Sequence, residues 1–204
     1  KLIYNATSDG SSMRLYAPSK LSRSFFKKNK GTCNEWINRN RRSIMILALK
    51  LGEPVTVIRH GEELLREFML DKTLLTMEEI EFILLLMIDA LIQLQAPEAV
   101  MGFYIWTKQT LNVNFEWIKA ATYEANWRYE NVLSEYQSLL QAKKISSCLE
   151  GESLQSPLNL VTSNKDFICN SYTVNFFNQR IMNCYLNLAC YEEAIAWSKL
   201  CMSD

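Results

Sequence analysis

The sequence has few of the residues that interrupt helices and few that bind metals. Its 204 residues include 6 glycines, 4 prolines and a single histidine, His60. So few glycines and prolines favour a mainly helical chain, because both residues are unfavourable inside helices. The 6 cysteines form no CxxC pair, whereas a zinc site needs clustered Cys and His ligands. We therefore expect the cysteines to be small apolar residues in a reducing compartment.

Long apolar runs and a signal peptide are also missing. The longest run, residues 82–88, is followed by Asp89, and it is much shorter than the roughly 20 residues that span a bilayer. We therefore expect that the protein does not contact a membrane. We expect it in the cytoplasm, with the nucleus as an additional compartment. Asn5 begins an isolated Asn-x-Thr sequon, a pattern that is frequent by chance.

Motifs for phosphate binding and for covalent catalysis are missing as well. The sequence contains no glycine-rich phosphate loop, no HRD or DFG run of a kinase core, and no HExxH or GxSxG motif. We interpret His60 as a histidine on a helix face, with a polar contact to an adjoining domain as the alternative. No catalytic, metal-binding or cofactor-binding residue is predicted. Three acidic pairs are interpreted as first-turn residues of helices: Glu62 and Glu63, Glu78 and Glu79, Glu192 and Glu193.

Charge is divided unevenly along a chain whose formal net charge is zero. Residues 11–52 carry ten Lys or Arg and one acid, a net of +9, whereas residues 53–204 carry eleven Lys or Arg and twenty acids, a net of −9. We call six cations of the basic part the basic cluster: Lys27, Lys28, Lys30, Arg39, Arg41 and Arg42. The basic cluster predicts either a solvated or domain-packing face, or a site for an anion or an acidic partner. It is too short to favour direct nucleic-acid binding.

What the sequence does contain is a repeated helical pattern. Residues 96–141 read as one helix-turn-helix unit of tetratricopeptide type and the second helix of the unit before it. The interval from Tyr123 to Val132 returns between Tyr185 and Ala194, which favours a solenoid. We predict an all-α solenoid of antiparallel helix pairs with degenerate tetratricopeptide-like or HEAT-like repeats. The residues expected to pack between helices are Trp36, Ala120, Tyr123, Tyr129, Val132, Tyr136, Tyr185 and Ala194.

Changes in composition divide the chain into four parts. They are an irregular basic leader with a short helix (1–31), a helical-repeat segment (32–143), a long and partly disordered loop (144–171), and a further, truncated repeat (172–204). Capping boxes at Thr32 and Thr76 predict the starts of two helices, and Gly52 with Pro54 predicts a helix end and the next start. Because the sequence begins with Lys1 and its last residues still read as helix, we expect a fragment of a longer protein.

Four stretches in a fixed order carry a family resemblance. They are TCNEWI from Thr32, GEPVTVIRHG from Gly52, APEAVMG from Ala96 and RYENVLSEYQ from Arg128. These stretches resemble the FAT domain of the phosphatidylinositol 3-kinase-related kinases, and in particular the serine/threonine kinase of nonsense-mediated mRNA decay. The similarity covers residues 30–141 and, more loosely, residues 172–204.

The resemblance implies a function that the residues alone do not indicate. It implies a non-catalytic helical scaffold of a large kinase, which braces the kinase domain of the same parent chain and the regulatory subunits of the decay complex. The parent would use ATP and magnesium and would phosphorylate an RNA helicase. The family also binds inositol hexakisphosphate, through contacts that are not assigned to residues of this sequence. The alternative, which follows from the repeat pattern alone, is a free-standing tetratricopeptide-like adaptor.

Overall fold

The protein is a stack of helices. The computed structural model describes residues 20–150 and 171–203. Within these residues it has no strand and nine α-helices: α1 (Lys20–Lys28), α2 (Lys30–Lys50), α3 (Pro54–Leu70), α4 (Met77–Gln93), α5 (Pro97–Trp106), α6 (Glu116–Ala125), α7 (Tyr129–Glu150), α8 (Ser171–Asn187) and α9 (Tyr191–Ser203). A π-helical turn, Thr107–Leu111, extends α5. In the described part of the chain, no helix is long and apolar enough to cross a membrane.

The helices are arranged as consecutive pairs on a shared inner layer. Helix α4 contacts α2, α6 and α8, so these four helices form the inner layer. Helices α3, α5 and α7 each pack between two inner helices, and α9 packs on α8. Each repeat therefore buries its apolar face against its neighbours, as in a solenoid. The predicted all-α repeat fold is confirmed.

Helix α4 lies at the centre of the core. Ten of its seventeen residues are buried, which agrees with a sequence that is apolar on nearly all sides. Its start is fixed by the predicted capping box. The Thr76 hydroxyl accepts a hydrogen bond from the Glu79 amide at 3.3 Å, and the Glu79 carboxylate accepts one from the Thr76 amide at 2.9 Å. These two hydrogen bonds thus fix the residue at which α4, the buried central helix, begins.

Four inner helices end in the same way. At each end one residue has a positive φ angle, and the next amide donates to a carbonyl five residues back, which is the Schellman pattern. The carbonyls of Tyr123 and Tyr185 are two of these acceptors, at 2.9 Å each. The repeated tyrosine in the sequence therefore marks a repeated turn of the backbone. The positive-φ residues are Gly52, Gln95, Trp127 and Ala189.

Three expectations about helix boundaries need correction. Helix α2 begins at Lys30 rather than at a capping box on Thr32, because α1 leads almost directly into it through Asn29. Helix α7 continues to Glu150, seven residues into the segment predicted as a loop. Residues 1–19 and 151–170, where most of the predicted leader and loop fall, lie outside the described residues. The pair Glu62 and Glu63 lies in the middle of α3, not in its first turn.

The expectation that Trp36 belongs to the core is wrong. Its side chain is 54% exposed. The buried stripe of α2 runs through Ile37, Arg41, Met45 and Ala48, at intervals of three and four residues. Trp36 precedes the first member of that stripe, and one residue corresponds to about 100° around a helix with 3.6 residues per turn. The side chain consequently leaves the core and lies on the surface.

Candidate functional site

The most unusual feature of the interior is a buried ion network between three inner helices. Arg180 of α8 donates from Nε to both carboxylate oxygens of Glu124 in α6, at 2.8 and 3.0 Å, and its Nη2 also contacts Glu124. Its Nη1 donates to Asp89 of α4 at 3.0 Å. Arg180 and Glu124 are 8% and 3% exposed. One guanidinium therefore links α4, α6 and α8 through planar, directional bonds.

Aromatic side chains surround this network. Phe176 lies 5.8 Å below the guanidinium carbon of Arg180, as measured to the ring centroid. Tyr136 of α7 is fully buried and stacks on Phe177 with ring centroids 5.1 Å apart. Trp117 of α6 meets Phe176 edge to face at 5.8 Å. Because packing leaves Arg180 and Glu124 little exposed, the charges attract one another strongly, and an unpaired charge here would be costly.

Burial and pairing shift the pKa values of several groups in and around the network. Burial lowers the pKa of Arg180, but the charge and hydrogen bonds of Glu124 and the charge of Asp89 outweigh it, so that this pKa is raised. Burial raises the pKa of Glu124, and its pairing with Arg180 opposes that effect. Burial, followed by the charge of Glu124, raises the pKa of the Cys184 thiol to about 12 and that of Tyr136 well above its usual value. Arg180, Cys184 and Tyr136 therefore keep their protons near neutral pH and are suited to holding helices together rather than to exchanging protons.

A second charged cluster joins α2 to α3 and involves the basic cluster. Arg41 is buried and contacts the carboxylates of Glu67 at 2.7 Å and of Glu63 at 3.1 Å. His60 is also buried, 3.8 Å from Glu63. Burial is the main cause that lowers the pKa of His60. Arg41 therefore serves the contact between helices and is not available to an anion at the surface.

The structure does not gather the basic cluster into one surface. Arg42 contacts Glu79 at 2.6 Å, and Arg39 contacts Glu35 at 3.5 Å on the exposed side of α2. The lysines of the basic cluster are exposed: Lys27, Lys28 and Lys30 are all at the surface. The three arginines are thus used mainly in contacts within the protein.

The residues expected to pack between repeats lie mostly in the core. Ala120, Val132, Tyr136 and Ala194 are at most 3% exposed. Three further tyrosines are half-buried against the core: Tyr123, Tyr129 and Tyr185. The hydroxyl of Tyr185 accepts a hydrogen bond from Gln137 at 2.9 Å. This contact joins α8 to α7, so the second copy of the repeated tyrosine also has a polar role.

The ion network was missed in the sequence, although it left a signal there. Glu124 follows Trp117 and Ala120 at intervals of seven and four residues, so it lies on the buried face of α6. Arg180 lies in the same way between Phe176 and Cys184 of α8. One acid and one base on otherwise apolar helix faces indicate a buried pair. Sequence alone could not indicate which acid meets which base.

The fold and this network define a class of protein: a helical-repeat segment whose inner helices are joined by a buried ion network. In the described residues, no group of three His, Cys, Asp or Glu side chains could hold a metal ion. A family model described as "Serine/threonine-protein kinase smg-1" matches residues 1–203. The chain therefore belongs to this kinase family, and the resemblance seen in the sequence is confirmed.

Two relatives show how small a part of such a kinase the chain represents. It is 28% identical over 221 residues to "Serine/threonine-protein kinase SMG1" of Danio rerio, a match that covers 100% of this chain and 6% of that protein. It is 29% identical over 155 residues to "Serine/threonine-protein kinase Smg1" of Drosophila melanogaster, covering 76% of this chain and 5% of that protein. The chain thus corresponds to a short segment of these relatives.

Proposed function

We propose that this chain is a non-catalytic helical scaffold within a kinase of the smg-1 family. The observation that carries the proposal is the contact of Arg180 with Glu124 and Asp89, which joins the inner helices α4, α6 and α8. Helices that are joined in this way move together, so the stack can transmit a displacement from one end to the other. Such a body is suited to bracing a catalytic domain that lies elsewhere in the parent chain.

The proposal extends to the setting implied by the sequence resemblance. The segment belongs to a FAT domain, and its surfaces contact the kinase domain and the regulatory subunits of a complex acting in nonsense-mediated mRNA decay. ATP, magnesium and the RNA helicase substrate concern the parent kinase and not this segment. The similarity of the chain to two kinases named SMG1, over 6% and 5% of their lengths, supports this placement.

Two measurements test the scaffold function. The isolated chain should transfer no phosphate from labelled ATP to a protein substrate, and transfer would contradict the proposal. In the parent kinase, Arg180→Met should lower the rate of substrate phosphorylation, because it leaves the buried Glu124 carboxylate and the partly buried Asp89 carboxylate without their cation. Arg66→Met is the matched control, since Arg66 is exposed on α3. Full activity of the Arg180 variant, together with a lower melting temperature, would show that the segment does not support catalysis.

A free-standing adaptor is the second candidate, and one surface feature favours it. Helices α3 and α5 do not contact each other, and a groove of about 620 Å³ lies between them. Leu65 and Met69 line one side, and Phe103 and Trp106 line the other. Sequencing the transcript downstream of the codon for Asp204 distinguishes the candidates: a kinase core supports the scaffold, and a stop codon supports the adaptor.

A further inference from the structure

The last helix pair carries large apolar side chains on its outer side. Leu186 near the end of α8 is 48% exposed, and Tyr191 and Ile195 of α9 are 62% and 57% exposed. Tyr191 and Ile195 are one turn apart, so they lie on one face of α9. We call these three side chains the end patch. Within the described residues, α9 contacts only α8, so no other helix covers that face.

The internal repeat shows what covers the corresponding face of α7. The repeated turns after α6 and α8 relate α7 to α9, so that Tyr129 corresponds to Tyr191. Leu133 corresponds in the same way to Ile195. In α7 both side chains are partly buried and pack against the core. Gln137 lies one turn further along this face and donates to a tyrosine hydroxyl of α8 at 2.9 Å. The next inner helix therefore covers this face of α7.

The end patch thus has the pattern of a repeat interface of which one side is present. In a solenoid each repeat buries its apolar face against the next one, and an exposed apolar patch indicates an interaction surface. The chain corresponds to 6% of the Danio rerio relative and 5% of the Drosophila melanogaster relative. A kinase of this family therefore has ample sequence from which a further helix can come.

We propose that the end patch binds an amphipathic helix of the parent kinase, which packs on α9 as α8 packs on α7. The proposal rests on the proposed function only in taking this chain as one segment of a longer kinase. The end patch is then an interface within one polypeptide, through which the solenoid continues. A separate protein or a second copy of this chain would be a different occupant, and the experiment below distinguishes them.

Differences between the two repeats indicate the chemistry of the covering helix. Arg180 of α8 pairs with Glu124 across the earlier interface, but the residue that corresponds to Glu124 is Leu186. An arginine opposite Leu186 would be buried without a carboxylate, which is costly, so the covering helix has an apolar side chain there. Gln137 corresponds to Lys199, an exposed cation. The covering helix therefore has an acceptor oxygen opposite Lys199.

Hydrogen exchange of α9 tests the proposal in two samples, the isolated chain and the parent kinase purified without other proteins. Amides of α9 should exchange at least about tenfold more slowly in the parent, because further apolar side chains become buried there. Equal rates in the two samples would overturn the proposal. Protection that develops in the isolated chain as its concentration rises would assign the end patch to a second copy. Protection that develops in the parent only when regulatory subunits are added would assign it to a separate protein. Either result would also overturn the proposal. Phosphate transfer is not measured, so the outcome is independent of any effect on catalysis.

A pair of variants separates the contact from folding. Ile195→Glu should leave the melting temperature of the isolated chain nearly unchanged, because this side chain is largely exposed there. In the parent kinase the same change should remove the protection of α9, since a carboxylate would be buried in an apolar contact. Leu70→Glu is the matched control, because Leu70 is 85% exposed at the end of α3, and it should preserve that protection. Retained protection in the Ile195 variant, or equal losses in both variants, would overturn the proposal.

Discussion

The buried arginines in the described part of the chain are paired with carboxylates. Arg180 meets Glu124 and Asp89, and Arg41 meets Glu63 and Glu67. Each arginine lies on an otherwise apolar helix face, so the stem of its side chain packs against apolar residues while its guanidinium binds carboxylates. Removal of Arg180 should therefore be more harmful than removal of its whole contact with Glu124, because the remaining Glu124 carboxylate stays buried without a cation.

The first prediction follows from this asymmetry. Arg180→Met should lower the free energy of unfolding by about 3–5 kcal/mol, because the Glu124 and Asp89 carboxylates lose their cation. Adding Glu124→Leu should restore part of that loss, since fewer buried charges remain. Urea denaturation of both variants measures the two values, with exposed Arg66→Met expected within about 0.5 kcal/mol of the unaltered protein. A double variant less stable than Arg180→Met alone would contradict this account.

Cys184 provides a prediction about pH. Its side chain is buried and its thiol pKa is raised from 9.0 to about 12 by burial and by the charge of Glu124. The folded state thus disfavours the thiolate, so the stabilisation is present below pH 9 and is lost as the pH rises toward 12. Cys184→Ala should make this decline in the free energy of unfolding less steep between those pH values, while the part that comes from the raised pKa of Tyr136 remains. If the free energy of unfolding of the Cys184 variant declined as steeply with pH as that of the unaltered protein, other groups would cause the decline.

Thiol labelling offers a second measurement of the same residue. At pH 8 iodoacetamide should modify Cys201, which is exposed, much faster than Cys184, because alkylation requires an accessible thiolate. Mass spectrometry of digested protein gives both rates in one sample. Equal rates under native conditions would show that α8 opens readily around Cys184.

At the scale of helices, close approach decides where a glycine is needed. Gly61 is buried in α3, and a Cβ atom there would overlap the sulfur of Met87 in α4. Gly61→Ala should therefore lower stability by about 1–3 kcal/mol through overpacking. Gly102→Ala is the matched control in α5, because no atom lies within 4 Å of its added Cβ, and it should stabilise the protein by about 0.5–1 kcal/mol. Thermal denaturation compares them, and equal effects would show that α3 and α4 are not tightly packed.

The repeated helix ends provide an opposite pair of substitutions. Gly52 and Ala189 occupy the same position after α2 and α8, with φ angles of 68° and 58°. Gly52→Ala should destabilise by about 1 kcal/mol through backbone strain alone, since its Cβ would meet no neighbour within 4 Å. Ala189→Gly should stabilise by a similar or smaller amount. Urea denaturation measures the free energy of unfolding of both variants. If the two substitutions changed it in the same direction, the two turns would not share one geometry.

Most helices could be predicted from the sequence because their ends are marked by local chemistry. Pro54 and the capping box at Thr76 depend on neighbours within four residues, and both predictions agree with the structure. The ion network could not be predicted, because Arg180 meets residues 56 and 91 positions away in the chain. Trp36 was misplaced for a related reason: several faces of α2 are apolar, and only tertiary packing selects the buried one.

At the scale of the whole molecule, the inner layer decides how far a disturbance spreads. In a simple solenoid each repeat contacts only its neighbours, so the loss of one contact stays local. Here α4 contacts both α2 and α8, and Arg180 bridges α4, α6 and α8. The terminal helices differ, because α1 contacts only α2 and α9 contacts only α8 within the described residues. The stack should therefore have a cooperative centre and less stable ends.

Hydrogen exchange can measure this cooperativity directly. In the unaltered chain, amides of α4 should exchange most slowly and those of α1 and α9 fastest, since protection follows buried contacts. In the Arg180→Met variant, exchange should accelerate in α4 and α6 as well as in α8, because all three share the guanidinium. Helix α3, which is held to α2 by Arg41, should keep most of its protection. Acceleration confined to α8 would show that the repeats respond independently, and a segment of that kind could not transmit displacement as a scaffold must.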